Sequence, residues 1–253
     1  MTVFVDHHDS VYSEKLNRRG KLQRQYDYFA KESAHQFGPE AFLVDFGPDR
    51  VTGAHFHSVD QFQIFFGAPG GLYQRHQIPG VELHYADAFH TYGPFSAADE
   101  RIKFFTLRPC QGQFRGEMPA ERDKLRYQGR RGIHVDLDPL MAVVATPGEV
   151  SAHDVIPREA DGLAATLFIA GADAEIRPPS AAGTSGVYLC VLAGEVDAGD
   201  GPVGPMALGW TLQGEDSRPL RCGPDGARVL AMSYPDPPTP AAHDTADDAT
   251  VVG

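Results

Sequence analysis

Two histidines separated by a single residue, His55-Phe56-His57, are the first feature of this chain that can do chemistry. Their surroundings read as a β-strand, where side chains alternate faces with a period of two, so both imidazoles point the same way, about 6–7 Å apart at the Cα. That is a compact way to offer two nitrogen ligands to one ion. Ser58, Val59 and Asp60 follow as a turn, and Gln61 and Gln63 open the next run, from which one amide can return to the same side. Further on, Val81-Glu82-Leu83-His84-Tyr85-Ala86-Asp87-Ala88-Phe89-His90 brings two more histidines. His84 and His90 share strand parity, so alternation does not choose between them as a third ligand. Tyr85 and Tyr92 flank the candidate third ligand and can donate a hydrogen bond to a bound anion.

The elements that must position these residues are short strands. Phe42, Val44 and Phe46 alternate with Leu43 and Asp45, Gly47-Pro48-Asp49 makes a turn, and the same texture returns at 61–66, 81–85 and 102–107. Alternating runs cut by Gly, Pro and Asp every eight to twelve residues are the signature of a sandwich or barrel. A polar stretch follows over 113–132. Further strands then read at 135–144, 163–169, 186–193 and 227–234. Before all of this, the spacing of Tyr26, Phe29 and Ala30 within 11–37 fits a helix or two helical turns, ended by Gly38-Pro39. Phe46, Phe56, Phe62, Phe65 and Phe66 are expected in the core. Trp210 is expected to pack in the second half, and His7, His8, His35, His76, His134, His153 and His243 are given surface or structural places.

Gly53, His55, His57, Gln61 and Gly67, followed about 30 residues later by His90 ahead of the run 102–107, resemble the two sequence motifs of the cupin superfamily. In that family the first motif supplies two histidines and usually a glutamate, and the second a third histidine. The resemblance implies an all-β chain of two tandem cupin-type, jelly-roll β-barrels with a short helical N-terminal segment. The corresponding boundaries are a helical segment over 1–39, a metal-binding barrel over 40–112, a connection over 113–132, a degenerate second barrel over 133–235 and a disordered tail over 236–253. It also implies one divalent metal ion per chain, held by His55, His57, Gln61 and His90, with His84, Gln63, Tyr85 and Tyr92 as alternative ligands or substrate contacts. Fe(II) is favoured; Zn, Mn, Ni and Cu also suit imidazole.

Three departures from the family pattern matter. Gln61 stands at the glutamate position, Tyr85 and Asp87 replace a Pro-x-Gly before His90, and Pro178-Pro179-Ser180-Ala181 occupies the place of a second His-x-His. The second barrel should therefore bind no metal. A neutral amide leaves a divalent ion its full charge, which favours an anionic ligand such as a carboxylate, enolate or phenolate. The resemblance thus implies a metal-dependent enzyme acting on a small oxygenated anion, a dioxygenase first. An isomerase, lyase or hydrolase using the same ion, or a non-catalytic binding or scaffold barrel, are the alternatives, and no particular catalytic residue is assigned.

Composition narrows the field. At 253 residues with 42% hydrophobic and 22% charged side chains, the chain can bury two modest cores. A formal net charge of −12 argues against a nucleic-acid surface, which needs clustered Lys and Arg. Cys110, Cys190 and Cys222 have neither paired spacing nor an even count and read as reduced thiols. No run of 18 apolar residues occurs, so a small-molecule ligand, no membrane partner, a cytoplasmic location and a possible homodimer are the expectations.

Overall fold

The computed structural model describes residues 2–16, 22–29, 38–48, 50–67, 70–78, 80–97, 101–112, 114–126 and 131–236. The expected disordered tail, beyond residue 236, lies outside them. The chain divides into two compact units, one of residues 11–139 and one that joins residues 2–10 to 140–236.

In the first unit, seven antiparallel strands run side by side in the order Gly132–Asp136, Val81–Ala86, Gln61–Phe66, Ile102–Arg108, Glu40–Phe46, Leu22–Phe29, Val11–Leu16. A smaller sheet orders Val51–Thr52, Phe95–Ser96, Leu72–Tyr73 and His76–Gln77, and Arg115–Glu117 pairs with His55–His57. Strand alternation sends Val44, Phe46, Phe65, Ala86 and Phe104 of the large sheet to one face, where they meet Tyr73 and Phe95 of the small one. Phe95 stacks on Phe46 and meets Phe104 edge-on, with centroids 5.7 and 5.2 Å apart. Of the five phenylalanines expected in the core, Phe46, Phe56, Phe62 and Phe65 are buried and Phe66 is half-buried.

Over 11–16 and 22–29, the described part of 11–37, strands stand where a helix was expected; the rest, Ala30 included, lies outside the described residues. Val11–Leu16 and Leu22–Phe29 form an antiparallel pair, Tyr12 opposite Tyr26, that continues the large sheet through Glu40–Phe46. Tyr26 and Phe29, whose spacing suggested a helical period, both lie on the second of these strands, on either side of a bulge between Asp27 and Phe29 that shifts its register. The helical structure described in the N-terminal segment is one 3-10 turn, His7–Asp9, whose first amides are capped by Asp6 Oδ1 accepting from His8 N at 3.0 Å. Within the stretch 113–132, Arg115–Glu117 pairs with the histidine strand, and at its end Gly132–Asp136 extends the sheet beside Val81–Ala86.

The second unit is built on a path of six antiparallel strands: Val3–Val5, Leu208–Leu212, Gly186–Asp197, Leu220–Ser233, Ala164–Ala170, Val150–Ile156. Its core is apolar, with Val187, Leu189, Val191, Val229 and Ala231 among its members. Trp210 packs here against Tyr188, its partner across the sheet, at 4.5 Å between centroids, and Gly186, two residues before Tyr188, has φ +136 and no room for a Cβ, which would meet the indole at 2.1 Å. All three cysteines are free thiols. Among the described residues no helix is long and apolar enough to cross a membrane.

Candidate functional site

His55–His57 is held between two partners. Arg115–Glu117 pairs along it, and Tyr92 exchanges two backbone hydrogen bonds with His55, each of 3.0 Å. The shared parity of His55 and His57 then does what the spacing implies: both rings reach one cavity of about 400 Å³ inside the first unit, roughly perpendicular with centroids 5.3 Å apart. Gln61, Gln63, Tyr92, Arg50, Arg108 and Arg115 share its wall.

The hydrogen-bond directions in this wall are determined by chemistry. His55 Nδ1 lies 2.7 Å from Gly53 O, an acceptor, so Nδ1 carries the proton and Nε2 keeps its lone pair. The Gln61 amide nitrogen donates to Tyr92 Oη at 2.6 Å, and its Oε1 accepts from Arg108 Nε at 2.9 Å and Nη2 at 2.8 Å. Arg108 Nη1 donates to Glu40 Oε2 at 2.6 Å. The same guanidinium lies against His57, with Nη2 3.1 Å from Nδ1 and 3.4 Å from Nε2.

This environment sets the protonation states. Burial, and then Arg115, pushes the His55 imidazole down to about 3. Burial and Arg108 hold His57 well below the usual imidazole range. Burial raises the Tyr92 phenol to about 12. At neutral pH the wall therefore presents two neutral imidazoles and a neutral phenol beside permanently charged guanidiniums.

The other expected ligands are elsewhere. His84 is buried on Val81–Ala86 with both nitrogens engaged, Nδ1 3.1 Å from Gln63 Oε1 and Nε2 3.0 Å from Tyr73 Oη, and it is not part of the cavity wall. His90 is half-buried against Gly132, where an added Cβ would fall 2.1 Å from its Nε2, and it too is not part of the wall. Tyr85 points to the opposite face, packs on Phe62 and donates to Asp87 Oδ1 at 3.0 Å. The chain leaves its strand through Phe89 at φ +62, and the residue it brings back to the histidines is Tyr92, whose ring lies 4.4 Å from that of His55. Sequence reasoning passed over Arg108, although it shares parity with Phe104 and Thr106 on an alternating run.

A divalent ion at His55 and His57 does not fit this donor set. Both lone pairs of Gln61 Oε1 accept from Arg108, no third imidazole among the described residues is in the wall, and a guanidinium that does not deprotonate stands within 3.4 Å of both His57 nitrogens.

No family model matches the chain. No curated protein matches it either. Solved structures do. A dioxygenase candidate from Nostoc punctiforme PCC 73102 superposes with a TM-score of 0.63 at 11% identity, over 93% of this chain and 83% of that one. A variant of Bacillus subtilis oxalate decarboxylase OxdC gives 0.58 at 11%, over 92% and 77%. Salicylate 1,2-dioxygenase from Pseudaminobacter salicylatoxidans gives 0.55 at 11%, over 82% and 76%. The chain has the cupin fold. Likeness at this identity concerns the fold and leaves the chemistry to the site.

Proposed function

We propose that the first unit captures a small oxygenated organic anion, a carboxylate, enolate or phenolate, in its cavity, and that Arg108 and Arg115 hold its charge. The observation that carries this reading is the Arg108 guanidinium standing against His57 and Gln61, where the family pattern would put an ion. Arg108 already donates to Glu40 at 2.6 Å and Arg115 pairs with Glu117 at 2.9 Å, so an incoming anion shares these two guanidiniums with carboxylates of the protein, and their planar forks suit it. His55 Nε2, neutral and unprotonated, accepts from a hydroxyl or enol on the same ligand. The cavity, about 400 Å³, is within the ~300–1,000 Å³ of small-molecule sites. Oxalate and salicylate, the molecules named for two of the neighbours, are both small carboxylates.

A metal-dependent dioxygenase, with Fe(II) at the two histidines, is the second reading, and the tautomer of His55 favours it. A backbone carbonyl on Nδ1 and a lone pair on Nε2 is how ligating histidines are usually prepared. This reading requires Arg108 to leave both His57 and Gln61. A thermal-shift screen of small carboxylates and phenols, run with Arg115→Gln alongside the native protein, tests the first reading. Stabilisation by a subset of anions, weakened at least tenfold in concentration by the substitution, supports it; no shift with any anion contradicts it. Oxygen uptake with the same compounds after Fe(II) loading tests the second.

A further inference from the structure

Away from the cavity wall, three strands of the first unit bring His76, Glu82 and His134 together, with one ligand atom from each inside a 4.8 Å span. We propose that they form a divalent transition-metal site with two imidazoles and one carboxylate. His76 sits on the outermost strand of the small sheet, beyond the turn at Gln74 with φ +54. Glu82 is an inward position of Val81–Ala86, and His134 lies on the neighbouring Gly132–Asp136 with its backbone opposite His84.

The geometry is that of a partly closed coordination shell. His76 Nε2 is 3.2 Å from His134 Nε2 and 3.5 Å from Glu82 Oε2. Ligand atoms on a tetrahedral zinc with ~2.0–2.1 Å bonds lie about 3.3 Å apart, so these two edges already match. On the third edge His134 Nε2 and Glu82 Oε2 are in direct hydrogen-bond contact. Binding an ion takes the place of the proton between them, which passes to His134 Nδ1 as the neutral ring changes tautomer, and opens that edge. Two neutral imidazoles and one carboxylate leave the ion a single net positive charge, and the solvent-exposed His76 side leaves a position for water or a ligand.

Two further observations bear on strength. Glu82 has only 5% of its side chain exposed and packs with both histidines, whereas a buried carboxylate elsewhere in this unit is matched by arginine, as Glu40 is by Arg108. A buried carboxylate needs donors or a cation beside it, and the groups that face Glu82 here are the two imidazoles. Against that, His134 Nδ1 is buried with no hydrogen-bond partner among the described residues. Ligating imidazoles normally donate from the second nitrogen, and lack of such support costs about 10–100-fold in affinity. The site is therefore expected to bind zinc reversibly rather than to retain it through chelator treatment.

The proposal is independent of anion capture in the cavity, and one experiment separates the two. Chelator-treated full-length protein is titrated with Zn2+ by calorimetry and with Co2+ by visible absorption, in the native chain, His76→Ala, His134→Ala and the double variant His55→Ala with His57→Ala. His76 is exposed, so its substitution keeps the fold, which circular dichroism checks. One ion per chain, weakened at least tenfold by His76→Ala and by His134→Ala and unchanged in the double variant, is the expected result. An ion lost with His55 and His57 but retained without His76 overturns the proposal, as does the absence of stoichiometric binding in the native chain.

Discussion

Arg108 reaches Gln61 Oε1 through two donors, at 2.8 and 2.9 Å, and this one contact changes the meaning of the His-x-His pair. The amide that would have served an ion serves a guanidinium instead. Its other face is tied to Tyr92, so the five side chains His55, His57, Gln61, Tyr92 and Arg108 form one hydrogen-bonded and stacked wall.

Removing Arg108 is expected to be costly out of proportion to its number of contacts. Arg108→Met leaves Glu40 buried and unmatched, and breaking a buried pair from one side costs about 3–5 kcal/mol. Urea denaturation measures the loss. Adding Glu40→Gln to the same chain should recover a large part of it.

Stability should fall with acid through the imidazoles. His55, His57 and His84 are all held below their ordinary range by burial first, so the folded state keeps them neutral while the unfolded chain takes up protons near pH 6.5. Their stabilising contribution is complete above that pH. For His55 it is lost as the pH falls from about 6.5 towards about 3, with a slope of up to about 1.4 kcal/mol per pH unit for each such group. Chemical denaturation at pH 7.5, 6 and 5 reads the slope, and His84→Gln should make it shallower.

Gly67 is a packing requirement. A Cβ there would lie 1.9 Å from the carbonyl oxygen of Ile78, which is backbone and has little freedom to give way. Gly67→Ala is expected to destabilise by at least ~1–3 kcal/mol in a thermal or urea melt, whereas Gly148→Ala, with nothing within 4 Å but φ +76, should cost less, about 1 kcal/mol.

The thiols should be slow to react. Burial pushes Cys190 up and raises both Cys110 and Cys222 to about 11, so little thiolate exists at pH 8. A colourimetric thiol reagent should find all three only after denaturation, with half-buried Cys110 the first to appear in the native state.

How much of this was legible in the sequence differs from residue to residue. The common face of His55 and His57 followed from strand alternation alone; Gln61 and Gln63 share one parity, and only the family resemblance singled out Gln61. The third partner did not follow from alternation, because Phe89 adopts a left-handed backbone conformation that alternation does not contain, and it replaces His90 by Tyr92. Tyr26 and Phe29 read as helical by their spacing, yet both lie on a strand that a bulge between Asp27 and Phe29 interrupts. His134 is 58 residues from His76 and 52 from Glu82 and meets them only through strand order, which no local pattern encodes. Arg108 was legible in its inward parity, but its meaning depends on Glu40 and Gln61, 68 and 47 residues away.

The most direct test of the central claim is calorimetric titration of the anion selected by the thermal-shift screen, into chelator-treated protein and into the same protein loaded with Fe(II) under anaerobic conditions. If Arg108 and Arg115 hold the ligand, the affinity without metal is expected to match the affinity with it within a few-fold, and to fall at least tenfold in Arg115→Gln. Binding that appears only after metal loading, and vanishes in the double variant His55→Ala with His57→Ala, would contradict the account and return the two histidines to an ion.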